Sequence, residues 1–141
     1  MDPWGGEGGG RWTDGTYSGI KSITVRHGDV IDAIQVEYHL KGETKDNDIT
    51  APQHGGNGGT ATRIELAADE ELIKVEGYAG NYRDINTITS LKFTTNQRVS
   101  GPFGTDIVNY FKSDPNGKIV GFYGHSGIYL DSLGIYAQVS K

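Results

Sequence analysis

Gly127-Ile128-Tyr129-Leu130-Asp131, read as G-x-x-x-D, sits between two alternating apolar runs near the end of the chain. The form recurs at Gly28-Asp29-Val30-Ile31-Asp32 and at Gly80-Asn81-Tyr82-Arg83-Asp84. The three starts lie about fifty residues apart, a period that signals internal repeats. Each copy follows a β-like run, at 20–25, 72–75 and 118–123, and precedes another, at 34–40, 88–93 and 133–139. The pattern therefore predicts a strand-to-strand loop with a glycine at one end and a carboxylate at the other. The glycine lets the backbone turn or lie bare to a ligand. The aspartate can accept hydrogen bonds from donors outside the chain.

Working outward, glycine clusters follow Trp4 at 5–10 and fill HGGNGGT at 54–60, with a thinner echo at Gly101 and Gly104. The run 34–40 alternates, with Ile34, Val36, Tyr38 and Leu40 on one face and Gln35, Glu37 and His39 on the other. That is the period of a half-buried strand. Residues 11–17 read as a strand or turn, 45–48 and 69–71 as polar turns, and 96–104 as a long loop around Pro102. Asp114-Pro115-Asn116-Gly117 reads as a hairpin turn, since proline fixes φ and Asn-Gly tolerates positive φ. No stretch holds the 3.6-residue apolar period of a helix. Each repeat unit reads as a glycine loop, a strand or two, a G-x-x-x-D loop and another strand. Three units of four short strands give about twelve strands, an all-β domain of three small sheets around a shared core.

The chain has 141 residues, which fits one domain over 1–141. Its 22 glycines are far above ordinary usage yet sit in discrete loops. A net charge of -5 argues against a general binder of nucleic acid or anionic membrane. No apolar run approaches the length of a membrane span. With no cysteine the fold needs no disulfide and tolerates a reducing compartment. The start, Met1-Asp2-Pro3-Trp4, has neither the basic region nor the apolar core of a signal peptide, and no N-x-S/T acceptor occurs. A cytoplasmic or nucleocytoplasmic protein is the expectation.

Other chemistries fit poorly. The glycine loops lack the Gly-Lys-Ser/Thr ending of a P-loop and lead into strand-like sequence. Asp46-Asn47-Asp48 lacks the ligand spacing and closing Glu of an EF-hand, so a solvated turn is the reading. His27, His39, His54 and His125 show no zinc spacing, and neither metal nor cofactor is expected. Trp4 and Trp12 read as packing residues, and His125 as a surface histidine near the last loop.

Taken together, W-G-G-x-G-G at 4–9, G-G-x-G-G at 55–59, S-L-K-F-T-T-N at 90–96, G-P-F-G at 101–104 and G-x-x-L-D-S-L-G-I-Y at 127–136 resemble the jacalin-related lectins of mannose-specific type. The resemblance covers nearly the whole chain. It implies the β-prism I fold, three four-stranded Greek-key sheets with pseudo-threefold symmetry. It also implies sugar sites at one end of the prism, each a G-x-x-x-D loop facing a glycine loop, with the first glycine loop opposite the last G-x-x-x-D. By that resemblance Asp131 accepts from sugar hydroxyls while the N–H groups of Ile128, Tyr129 and Gly9 donate, with Gly127 starting the loop. A second site would use Asp32, the N–H groups of Asp29 and Val30, Gly28 and Gly59. The third set, Gly80, Asn81, Tyr82 and Asp84, departs from the family pattern, because its facing loop has no doubled glycine and Arg83 intrudes.

In galactose-preferring members the chain is cut to leave a glycine amine at the site. Here the glycine loop continues from Trp4, so the implied ligands are mannose- or glucose-containing glycans and glycoproteins. Edge strands leave a homodimer open. The rival readings are a glycosidase using paired carboxylates and a protein-interaction module with idle loops. Asp131 and Asp32 fall in separate repeats, which speaks against the first; the reading is a lectin without catalysis.

Overall fold

The structure, a computed structural model, describes residues 3–40, 48–107, 109–114 and 117–138. It is built of strands: β1 (Trp4–Gly5), β2 (Gly10–Thr13), β3 (Gly19–His27), β4 (Ile31–His39), β5 (Asp48–Thr50), β6 (His54–Gly55), β7 (Thr60–Glu65), β8 (Leu72–Tyr82), β9 (Ile85–Thr95), β10 (Val99–Gly104), β11 (Asn109–Lys112), β12 (Lys118–Ser126) and β13 (Leu130–Gln138). Among the described residues no helix is long and apolar enough to cross a membrane.

The strands form three antiparallel sheets. The terminal sheet runs β1-β13-β12-β2, so both ends of the chain build it. The first internal sheet runs β5-β4-β3-β7 with β6 also on β4, and the second runs β10-β9-β8-β11. In every sheet a central hairpin is flanked by an edge strand and a returning strand, which is Greek-key order. The expected β-prism I is thus present. Among the described residues the count is thirteen rather than about twelve because β5 and β6 are two pieces of one edge strand, pairing with β4 at Glu37 to His39 and at Ala33 to Ile34.

Alternation drives this arrangement. Along β4, Ile34, Val36 and Tyr38 are buried and Gln35, Glu37 and His39 are half-buried, as the sequence period requires. Inward residues of all three sheets meet in one cluster, with Ile23, Val25 and Ile34 facing Ile88, Leu91 and Phe93 and facing Phe122, Leu130 and Leu133. Each such side chain contributes about 1.5–3 kcal/mol when fully buried. No single sheet could hide its apolar face alone.

Four expectations change. Residues 96–104 are not a long loop: the chain turns back after Thr95, where Thr95 N–H donates to Arg98 O, and β10 returns along β9. The strands on either side of Asp114 to Gly117 do not pair with each other, since β11 pairs with β8 while β12 pairs with β13 and β2; Pro115 and Asn116, like Lys45 to Asn47, lie outside the described residues. Repeat units begin at the G-x-x-x-D hairpin and end after the glycine loop, so the first glycine loop belongs with the last hairpin. Finally, Gly80 to Tyr82 are strand, not loop, and Asp84 sits with Arg83 at a tight hairpin tip, both at positive φ.

Candidate functional site

The two complete G-x-x-x-D loops have the same backbone. Gly127 N–H donates to Tyr129 O at 3.0 Å, and Gly28 N–H donates to Val30 O at 3.0 Å. Each loop ends by entering a strand, so Asp131 is the second residue of β13 and Asp32 the second of β4. Sheet pairing then brings a glycine loop over each carboxylate. Gly5 pairs with Ser132 and Gly55 with Ala33. Gly6 N–H donates to Asp131 O at 2.8 Å, and Gly56 N–H donates to Asp32 O at 3.0 Å. Residues 3–10 and 53–60 therefore correspond one for one in register.

The glycines are required by what lies beneath them. A Cβ on Gly8 would sit 3.1 Å from Asp131 Oδ2, and one on Gly58 would sit 2.7 Å from Asp32 Oδ2. Gly9 and Gly59 have φ of +71° and +69°, and a Cβ there would collide with Ser126 O or His27 O. The result is two cradles, each with a carboxylate on its floor and bare backbone on its wall. Among the described residues the N–H groups of Gly9, Ile128, Tyr129, Gly59, Asp29 and Val30 make no hydrogen bond within the chain.

Electrostatics mark both floors. Asp131 is only 4% exposed, and its Oδ1 is enclosed without a hydrogen-bond partner. Burial pushes its carboxyl above the ordinary aspartate value, opposed by the Gly127 N–H and by His125. Burial likewise raises Asp32, opposed by Arg26 and His27. A carboxylate kept partly dry with an unused acceptor is poised to take O–H donors from outside. Ile128, 64% exposed, projects its apolar side chain beside the first cradle.

The third unit has no such floor. Gly104 takes the place of Gly5 and Gly55, and Thr105 N–H donates to Thr89 O at 2.8 Å, as Gly6 and Gly56 do to the aspartates. The counterpart of Asp131 is thus Thr89, fully buried, and not Asp84. Gly80, Asn81, Tyr82 and Asp84 instead form a projecting hairpin tip that stands between the two cradles. The Tyr82 hydroxyl donates to Asp29 Oδ2 at 3.2 Å, and its ring meets Tyr129 edge-on at 5.6 Å. Sequence spacing missed this because β8 and β9 continue past the level at which the other hairpins turn.

Gly56 abuts Ile128 O, Gly6 abuts Asn86 O, and a Cβ on Gly104 would lie 3.3 Å from Ile31 Cδ1. Each unit's glycine segment thus leans on the next unit's hairpin, which puts all three at one end of the prism. Both tryptophans are packing residues as expected, Trp4 stacked on Phe111 at 4.7 Å and Trp12 on His54 at 3.6 Å. Among the described residues no cluster of His, Cys, Asp and Glu could hold a metal ion.

Comparison with known proteins gives the same picture. Residues 1–136 match the family model described as the jacalin-like lectin domain. Jacalin-related lectin 19 of Arabidopsis thaliana is 40% identical over 146 residues, covering 100% of this chain and 81% of its own length. Jacalin-related lectin 3 of the same plant is 38% identical over 98% of this chain, which spans only 23% of that longer relative. Among solved structures, a mannose-binding jacalin-related lectin from Ananas comosus is similar with a TM-score of 0.91 and 35% identity, covering 99% of this chain and 96% of its own.

Proposed function

We propose, from the premise that this chain belongs to the jacalin-like lectin family, that it holds mannose- and glucose-type glycans in two cradles at one end of its prism. Membership makes the chain a carbohydrate-binding lectin; the sugar class and the residues are our reading. The observation that carries it is the matched pair of floors, Asp131 and Asp32, each buried beneath a glycine loop with unused N–H groups. A pyranose offers vicinal hydroxyls that both donate and accept. The carboxylate accepts from two of them, while the N–H groups of Ile128 and Tyr129, or of Asp29 and Val30, donate to ring and exocyclic oxygens. Gly9 and Gly59 donate from the wall. The mannose preference is supported by likeness to the mannose-binding Ananas lectin.

The third unit, with Thr89 where a carboxylate is needed, binds no sugar in this reading. Each aspartate has its own cradle, so the paired carboxylates of a glycosidase are not formed and binding occurs without catalysis. A homodimer through an edge strand would double the number of cradles. The test is calorimetric titration with methyl α-mannoside. Two sites per chain are expected, of roughly millimolar strength. Branched high-mannose glycans should bind about a hundredfold or more tighter, because linked sites raise effective concentration. One site per chain, or no gain on branching, rejects the two-cradle reading.

A further inference from the structure

The two cradles correspond residue by residue in register, but their glycine loops are not held alike. In the second, Arg26 reaches from β3 to the loop tip: Nε donates to Gly58 O at 3.0 Å and Nη2 to Asn57 O at 2.9 Å. Gln53 grips the other side, its Nε2 donating to Gly56 O at 3.1 Å and to Asn57 Oδ1 at 2.9 Å. Three successive carbonyls, of Gly56, Asn57 and Gly58, are therefore tied down by side chains.

Register identifies the counterparts in the first cradle. Arg26 pairs with Ala33 and Ala61, and His125 pairs in the same way with Ser132 and Arg11. Gln53 precedes His54-Gly55 as Pro3 precedes Trp4-Gly5. A histidine thus replaces the guanidinium fork, and a proline with no donor replaces the amide. Among the described residues no side chain hydrogen-bonds to the carbonyls of Gly6, Glu7 or Gly8.

A glycine-rich loop has much conformational freedom to lose on binding. A planar fork on two adjacent carbonyls removes that freedom beforehand, and a bound sugar then meets a wall already in position. We propose that Arg26 is a positioning residue for the second cradle, holding its glycine loop in the sugar-accepting form before ligand arrives, while the first cradle is ordered by the sugar itself. This rests on the two-cradle reading above.

The experiment isolates each cradle, with Asp131→Asn leaving the second and Asp32→Asn the first, and titrates methyl α-mannoside. Adding Arg26→Ala should weaken the second cradle roughly fivefold to tenfold through a less favourable binding entropy, and leave the first unchanged. Arg26→Lys, which restores charge but not the fork, should recover only part of the loss. Amide order parameters of the unliganded protein should fall at Asn57 to Gly59 in Arg26→Ala, and should already be lower at Glu7 to Gly9 in the parent. The proposal is overturned by an unchanged second cradle, by equal losses in both backgrounds, or by full rescue with lysine. If neither background binds the mannoside, the two-cradle reading fails. The clamp then stands or falls on the order parameters alone, and unchanged order at Asn57 to Gly59 overturns it.

Discussion

Replacing Asp131 by asparagine keeps the size of the side chain and removes its charge. A hydrogen bond to a charged group is worth about 1.5–3 kcal/mol, and two sugar hydroxyls share this carboxylate, so about 3–6 kcal/mol is at stake. A hexose of about twelve heavy atoms binds with near 4 kcal/mol in all at roughly 0.3 kcal/mol per atom. The first cradle should therefore fall silent to a monosaccharide. Stability should move the other way. Asp131 is 4% exposed with an enclosed, unpartnered Oδ1, and burial holds its carboxyl above the ordinary value. A folded-state pKa raised above the unfolded one means the ionised group opposes folding at neutral pH, and that opposition is relieved as pH falls through the raised value. Asp131→Asn should thus melt at or above the parent temperature at pH 7, with the gap closing on acidification. Calorimetry should count one mannoside site instead of two, and a thermal melt gives the second quantity. Two sites still titrating, or a melting temperature lower by more than about 4 °C, would refute the assignment of Asp131 as a ligand-holding floor rather than a structural residue.

Gly58→Ala should silence the second cradle, since its Cβ would lie 2.7 Å from Asp32 Oδ2, whereas Gly10→Ala, with nothing within 4 Å, should leave both intact; equal behaviour of the two in titration refutes the steric argument. Mannoside binding at both cradles should weaken on acidification, because sugar hydroxyls donate to ionised carboxylates, and the loss should begin above the ordinary aspartate value of 3.8, given the raised values of Asp131 and Asp32. Titrations between pH 7 and 4 that show constant affinity contradict this. Glu70 behaves oppositely: burial alone would raise it, but the Thr95 hydroxyl, the Ala67 N–H and Arg98 together hold it down at about 2. Its contribution to stability is complete above 4.5 and lost as pH falls through about 2, so Glu70→Gln should lower the melting temperature at neutral pH and converge with the parent in strong acid.

Much of this molecule was readable from local chemistry. Alternation in 34–40 located a strand and its buried face, because side-chain direction along a strand depends only on neighbours in sequence. The doubled glycines marked both cradles, because Gly5, Gly9, Gly55 and Gly59 combine a positive φ with a close backbone approach. G-x-x-x-D marked the facing loops by its recurrence and not by any steric demand at Gly28 or Gly127. The pairing of the first glycine loop with the last hairpin was legible only through family resemblance, not from the residues themselves.

What the tertiary structure decided is which distant segments share a level of the prism. Asp84 satisfied the spacing of Asp131, yet longer pairing of β8 with β9 carried it to a tip and left Thr89 at the floor position. Asp114 to Gly117 had hairpin chemistry, yet β11 and β12 found partners in different sheets. Arg26 bears no mark in sequence of its hold on Asn57 and Gly58, thirty-one and thirty-two residues away. Turn and strand preferences are set within a few residues, whereas register, sheet membership and side-chain clamps follow from how three apolar faces close around one core.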